Sequence, residues 1–483
     1  MTVTLSHNCQ RPATAKDRGS IDQIICELSN DLRVLGEQAR PEQDFESFER
    51  AVHERFVAAE REVLASELQR LDVDVPEVSI GGRSHRRVLR CTETYLSAVG
   101  PITVQRTLYR AGSEPAVVAL ELRAGIVAGY WTPLAARQAS LLTAHLTPQE
   151  CGGLLRELGN MSPSRSSLDR LPKHLSSRWE QEREVFEDSL HAATFEVPAE
   201  AATLAVSLDG VMAPMKDADR QAKRAAAQEA GRATKGPAGF REVGCGTVSY
   251  YDGDGQRLGT LRMGRMPEAN KATLKQMLSA EVEAALSQRP DLEVVKLADG
   301  ARDNWSYLDE LAPRAPSSVR LVDFFHAAEQ LRAAVDAAYG ENDPRGRAQY
   351  EKHLHVLRHD HDGVQKVIRS LRYLRDRYPR RKRIGQVLGY FRRNRKRMDY
   401  AGAAERGLPI GSGVVEAACK TLVTERMKRS GMRWREAGGQ AILTLRGWVQ
   451  SDRFAAAWSL LSATYRAEIS LPDQIESVYG HAA

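Results

Sequence analysis

Three carboxylates stand out by where they sit. Asp209 closes the apolar run TLAVSLDG, Asp299 closes LEVVKLADG, and Glu416 falls early in IGSGVVEAACK. A carboxylate at the end of a buried strand is costly unless something compensates its charge. Two such aspartates on neighbouring strands and a glutamate on a later helix can converge on one point. Hard oxygen ligands in that arrangement hold two Mg²⁺ or Mn²⁺ ions roughly 4 Å apart, one activating an attacking oxygen and one stabilising a leaving oxygen, as phosphodiester chemistry requires. Asp209, Asp299 and Glu416 are therefore the expected catalytic and metal-binding residues, with two ions per active site.

Each Asp-Gly pair alone says little, because it is also the commonest turn dipeptide. Asp252 and Asp254, in the DGDG between two β-like runs, are read as a hairpin turn. Glu416 by itself would suit a solvent-facing position favoured by the helix dipole. Asp217, Asp219 and Asp303 are alternative aspartates, but they fall in loop or helix contexts.

The frame for these residues follows from periodicity. Phe45, Phe48, Val52, Phe56, Ala59 and Val63 recur at helical spacing and predict an amphipathic helix from Asp44 to Leu71. Residues Arg86 to Arg110 read as a strand pair divided by Gly-Pro. TPQECGGLLRELGNMSPSRSSLDRLPKHL reads as two helices around a tight turn. Thr147 with Pro148 starts the first, Gly159 stops it, and Ser162 with Pro163 caps the second. This is helix-turn-helix punctuation, shared with ordinary helical hairpins, and it would present Ser164 and Arg165 to a DNA groove.

From Leu204 onward the order is strand, a polar insert too poor in apolar residues to pack (KDADRQAKRAAAQEAGRATKGPAG), two strands, helix, strand, helix, strand. That is the order of an RNase H-like sheet. A helical block then runs from Ala327 to about Ala404 before the Glu416 segment. The expected fold class is mixed α+β: an RNase H-like catalytic core interrupted by an all-helical insertion, preceded by helical and small β elements that include the helix-turn-helix. The expected divisions are a helical region 1–80, a small β element 81–125, a helical DNA-binding region 126–198, core 199–326, basic insertion 327–405, core with the glutamate 406–455, and a tail 456–483.

The 483 residues carry a net charge of +6, 42% apolar and 27% charged residues, which suits a soluble globular chain without a membrane span. No apolar run of signal-peptide type occurs in MTVTLSHNCQRPATAKDRGS, so a cytoplasmic, nucleoid-associated location is expected. Charge is uneven: residues 351–400 hold sixteen Lys or Arg against five Asp or Glu. Such a density neutralises a polyanion's backbone. The expected DNA contacts are Arg380, Arg381, Lys382 and Arg383 of YPRRKR, and Arg392, Arg393, Arg395, Lys396 and Arg397 of FRRNRKR. KRSGMRW adds Lys428, Arg429, Arg433 and Trp434, although Trp434 equally suits a core anchor. Cys9, Cys26, Cys91, Cys151, Cys245 and Cys419 form no CxxC pair, and no zinc is expected. His353, His355, His359 and His361 form an HxHxxxHxH run that a helix would split between faces, which favours structural or exposed histidines over a metal site.

The segments SLDGVM, VVKLADGARDNW, VDFFHAAEQL and PIGSGVVEAACKTLVTERMKRSGMRW resemble the ISKra group of bacterial insertion-sequence transposases, distant relatives of the Mutator-like transposases, over roughly Arg86 to Leu461. The resemblance implies a DDE transposase cutting and joining DNA at the ends of an insertion sequence, with Asp209, Asp299 and Glu416 as metal ligands. It also implies Asp323 and His326 as accessory active-site residues; from the residues alone they equally suit a strand-end acid and its helix-capping partner. The implied partners are double-stranded DNA, both terminal repeats and target, and further copies of the chain. An inactive or domesticated relative that regulates by binding DNA, and an RNase H-like nuclease, are the competing readings.

Overall fold

The computed structural model describes residues 21–38, 44–216, 218–232, 239–312 and 317–471. Cys9, Asp217, the first twenty residues, part of the polar insert (233–238) and the end of the C-terminal segment (472–483) lie outside the described residues. The architecture is mixed α+β with two five-stranded sheets. Each sheet belongs to one of two units, the first from residues up to Gln181 with those from Trp458 on, the second spanning Glu182–Ala457. The boundary falls inside the 126–198 region expected from sequence. Among the described residues no helix is long and apolar enough to cross a membrane.

In the first unit, helices α1 (Ile21–Gln38) and α2 (Phe45–Arg70) pack together. The Asp44 carboxylate accepts from the Glu46 and Ser47 amides and so starts α2 where its periodicity predicts. Strands β1 (Glu77–Ile80), β2 (Arg83–Ser97), β3 (Gly100–Arg110) and β4 (Val117–Val118) form an antiparallel sheet with β10 (Ile469–Ser470), which pairs with β1. The segment expected as a tail thus supplies an edge strand. Alternation along β3 buries Ile102 and Val104 against Leu68 of α2, with Tyr95 and Leu120 beside them. Helices α3 (Ala119–Ala124), α4 (Pro133–His145), α5 (Pro148–Leu158) and α6 (Arg165–Gln181) complete it. Thr147 and Glu150 form a capping box on α5, and Gly159 ends that helix. The cap of α6 differs from the expectation: Ser164, not Ser162, accepts the Ser167 amide at 3.0 Å.

In the second unit, α7 (Arg183–Thr194) precedes β5 (Thr203–Pro214), and α8 (Ala218–Glu229) lies in the polar insert. The insert was expected to stay unpacked; Ala, Gln, Lys and Glu favour a local helix even where no core draws it in. Strands β6 (Phe240–Tyr251) and β7 (Arg257–Arg265), helix α9 (Ala272–Gln288), β8 (Glu293–Ala298), α10 (Arg302–Glu310) and β9 (Ser318–Val322) follow. The sheet order is β7-β6-β5-β8-β9; β5, β6 and β7 pair antiparallel, β5, β8 and β9 parallel. The continuous apolar run in β5 is explained by cover on both faces. On one face Leu278 of α9 packs so closely on Gly246 that a Cβ there would stand 2.7 Å from it. On the other, Cys245 packs with Val415, Cys419 and Leu422.

Five helices follow β9: α11 (Phe324–Tyr339), α12 (Pro344–His359), α13 (Gly363–Arg377), α14 (Lys382–Asn394) and α15 (Tyr400–Glu405). The chain then returns through α16 (Gly413–Ala418), a π-helical segment Cys419–Thr424, α17 (Glu425–Met427) and α18 (Glu436–Gln450), and α19 (Phe454–Ala463) leads away.

Candidate active site at the ends of three parallel strands

The parallel register sets the site. Ser207 pairs with Leu297, and Ala298 with Val322. Carried forward, the same register puts Asp209, inside β5, level with Asp299 and Asp323, the residues that immediately follow β8 and β9. The Asp209 side chain points to the face that Cys419 covers, with the Cys419 thiol 3.7 Å from Oδ2 and the Gly210 amide on Oδ1 at 2.7 Å. The hydrogen bond with Cys245, then burial and the charge of Asp209, push the Cys419 thiol far up, so it remains a protonated donor.

Asp299 is oriented from α10. Its Oδ1 accepts the Ala301 amide at 3.0 Å and Asn304 Nδ2 at 3.2 Å, and its carbonyl accepts Trp305 Nε1 at 2.6 Å. Lys271 fixes which way the buried Asn304 amide faces. Its Nζ sits 3.5 Å from Asn304 Oδ1 and 2.7 Å from Glu242. The relay leaves Asp299 Oδ2 with no protein hydrogen bond among the described residues.

Glu416 stands in the first turn of α16. Ser412 occupies the N-cap but caps no amide; its hydroxyl donates to Glu416 Oε1 at 3.2 Å. His326 Nδ1 lies 3.8 Å from the same oxygen. Asp323, wholly buried, accepts the His326 amide and ring nitrogen on Oδ1 (2.6 and 3.1 Å) and the Ser412 amide on Oδ2. One residue therefore caps α11, orients His326 and ties down the loop before Glu416. The hydrogen bond that the His326 ring donates to Asp323 raises the His326 pKa to about 9 against the cost of burial, helped by the charges of Asp323, Asp209 and Glu329. At neutral pH His326 is an imidazolium facing the acidic site.

Among the described residues, Asp323, His326 and Glu416 form the group whose ligand atoms all lie within 4.8 Å. Asp209 and Asp299 are not in it. Asp323 is nevertheless a poor metal ligand, because both its oxygens are already taken by donors. The oxygens available to a hard cation are Asp299 Oδ2, the lightly held Asp209 carboxylate and the half-exposed Glu416. This all-oxygen set suits Mg²⁺ or Mn²⁺.

The other expected positions divide. Arg380, Arg381, Lys382, Arg383, Arg392, Arg393, Arg395 and Lys396 are exposed on and around α14, with Arg383 donating to Gln330. Arg397 is engaged within the unit, 4.3 Å over the Trp305 ring and 2.6 Å from Asp309. Trp434 is an anchor: partly buried against the Val415–Cys419 core, it donates to the Met427 carbonyl at 2.8 Å. Lys428 and Arg433 are exposed, Arg429 donates to the Glu425 carbonyl, and Ser164 and Arg165 open α6 in the first unit. Asp252 holds its own turn through the Asp254 and Gln256 amides, Asp303 is exposed, and Asp219 falls in α8. His353 is buried with Nδ1 against Gln349 O, the His355 and His359 rings lie 4.6 Å apart on α12, tilted by 39°, and His361 meets Glu405 at 3.1 Å. Cys91, Cys245 and Cys419 are in no disulfide, and Cys151 is buried in α5. Sequence reasoning missed Asn304, Cys419 and Tyr390, whose ring lies against Gly300; Asn304 falls in VVKLADGARDNW, but nothing in its spacing marks it.

No family model and no curated protein matches the chain. Among solved structures, one titled "Crystal structure of NurA with manganese" aligns at 13% identity over 62% of this chain and 66% of that one, just under two thirds, with a TM-score of 0.10. A likeness that slight carries no argument.

Proposed function

We propose that the chain is a DNA transposase of the DDE type, related to the ISKra group, whose second unit is an RNase H-like core with an all-helical insertion. The observation that carries the reading is the register of Asp209, in the middle of β5, with Asp299, the residue after β8, just beyond the last pair of their parallel ladder, with Glu416 arriving from a helix on the face to which Asp209 points. The strand order β7-β6-β5-β8-β9 and the helical block between β9 and Glu416 support it.

Asp209, Asp299 and Glu416 would hold Mg²⁺ or Mn²⁺, which supplies activation of an attacking hydroxyl and charge stabilisation at the leaving oxygen. The chain's own work is positioning. Asn304 and Trp305 fix Asp299, the Cys419 thiol steadies Asp209, and Asp323 holds His326 with its positive charge toward the acidic site. That charge offsets repulsion among the carboxylates and favours an incoming phosphate. The exposed basic side chains of α14 bind the DNA backbone, and α5–α6 read the element's ends. The protein works as an oligomer that pairs two ends, with exposed Phe45 and Phe56 of α2 as contacts between copies.

Strand transfer separates this from a plain nuclease. Pre-cut terminal-repeat DNA incubated with a plasmid and Mn²⁺ should yield joined products; hydrolysis of the plasmid without joining would favour the nuclease reading, and binding without either reaction the regulatory one.

A further inference from the structure

The face of the sheet away from Cys419 carries an ion pair that touches the surroundings of both aspartates. Gly210 and Gly244 are partners across β5 and β6, and they face α9. A Cβ on Gly210 would collide with the Glu242 carboxylate, and one on Gly244 would lie 3.6 Å from the Lys271 stem. The two side chains meet over this glycine pair, with Lys271 Nζ 2.7 Å from Glu242 Oε1. The same ammonium lies 3.5 Å from Asn304 Oδ1. With its oxygen turned that way, the buried Asn304 amide directs both hydrogens to the site. Its Nδ2 donates to the Leu208 carbonyl at 3.4 Å and to Asp299 Oδ1 at 3.2 Å. A flipped amide would set its oxygen against two acceptors. Lys271 reaches this position at a conformational cost. Asn270 and Lys271 both have left-handed backbone, with φ +56° and +54°, a region that disfavours residues with a Cβ. Two in succession persist where the surroundings hold them. Here Glu268 Oε1 accepts the Leu274 amide at 3.0 Å, and the ion pair with Glu242 holds the side chain.

We propose that Lys271, held by Glu242, is a positioning residue for both aspartates of the metal site. Through Asn304 it fixes Asp299 by one oxygen and leaves Oδ2 for a cation. The Glu242 side chain packs on Gly210, whose amide holds Asp209 Oδ1 at 2.7 Å, so the same pair steadies that peptide. The strained turn sets the ammonium between the two branches. This inference rests on the reading of Asp209, Asp299 and Glu416 as metal ligands, and it assigns the start of α9 a part in orienting two of them.

The test compares native protein, Lys271→Met, Lys271→Gly and Lys271→Arg in three measurements: Mn²⁺ binding, read from the free-ion electron paramagnetic resonance signal, thermal unfolding without metal, and plasmid nicking over a range of Mn²⁺. Lys271→Met and Lys271→Gly should each bind Mn²⁺ about 10- to 100-fold more weakly, the scale on which losing a group that orients a metal ligand is felt. Lys271→Gly is free of the left-handed strain and should unfold no lower than Lys271→Met. Lys271→Arg keeps the charge and the donors and should recover part of the affinity. A merely structural lysine would move the unfolding temperature and leave Mn²⁺ affinity alone. Native affinity in Lys271→Met and Lys271→Gly, or a loss that follows unfolding temperature rather than the ammonium, would overturn the proposal. Mn²⁺ binding that depends on Lys271, with no nicking by native protein, would sink the enzymatic reading while leaving the positioning role standing. No Mn²⁺ binding by native protein would sink the metal site and the proposal together.

Discussion

Asp209 on β5 and Asp299, the residue that follows β8, are each two residues beyond the Ser207–Leu297 pair that ends the parallel ladder of these two strands. The relationship is fixed by hydrogen bonds along β5 and β8, so neither carboxylate can shift along its strand without slipping the register of the whole sheet. Rigid strands are the elements best suited to hold reacting groups within a fraction of an ångström.

Asp323→Asn should disturb three things together: the α11 cap, the tautomer and charge of His326, and the Ser412 loop before Glu416. Loss of charge-assisted hydrogen bonds to a buried carboxylate predicts a stability decrease of about 1–3 kcal/mol, measurable by urea unfolding. Unchanged stability would mean that the loop is held by other contacts.

Glu281 predicts an acid-sensitive core. Burial raises its pKa, but hydrogen bonds from His191 and Arg453 and their charges outweigh that and hold the carboxyl below its ordinary value. A depressed folded pKa gives stability that is full above the unfolded value and is lost as pH falls through the folded one. Unfolding free energy should therefore drop below the ordinary glutamate range. Glu281→Gln should remove that part of the pH dependence and cost about 3–5 kcal/mol at neutral pH, since Arg453 would be left buried and unpaired. Unfolding curves at several pH values for both proteins decide it.

Gly300→Ala should push the Tyr390 ring off the Asp299 turn, because the new methyl would stand 2.3 Å from Tyr390 Cε2 and 3.1 Å from Asn394 Nδ2. Overpacking of this kind costs about 1–3 kcal/mol. Hydrogen exchange should show α14 loosening while β6 and β7 stay protected; uniform protection would mean the ring slides without cost.

Replacing Arg380, Arg381 and Lys382 by Ala should weaken binding of any duplex alike and reduce the slope of log K against log salt by about one for each phosphate no longer neutralised. A variant with the native slope would move the DNA surface elsewhere.

Much of this site was legible because its residues obey local rules. Asp209 and Asp299 end apolar runs that only a doubly covered sheet explains, and Asp323 with His326 has the three-residue spacing of a cap. Where the reading stopped, the partner came from far along the chain. Nothing near Gly300 announces Tyr390, and nothing near Asp209 announces Cys419 at the start of a π-helical segment. Arg397 and Trp434 carry the right chemistry for DNA, yet α10 and the Val415–Cys419 core claim them. The α6 cap shifted from Ser162 to Ser164 because punctuation marks a turn more surely than the residue at which the helix begins. Helix α1 went unread, and α8 formed where composition argued against packing, since local propensity needs no core.

The most direct test is cleavage of a labelled duplex carrying the element's terminal repeat, in Mg²⁺ or Mn²⁺, by native protein and by Asp299→Ala. The account predicts metal-dependent nicking at the repeat boundary by the native chain, and none by the variant at undiminished DNA affinity. Equal cutting by both proteins would contradict the assignment of Asp299 and, with it, the site at the strand ends.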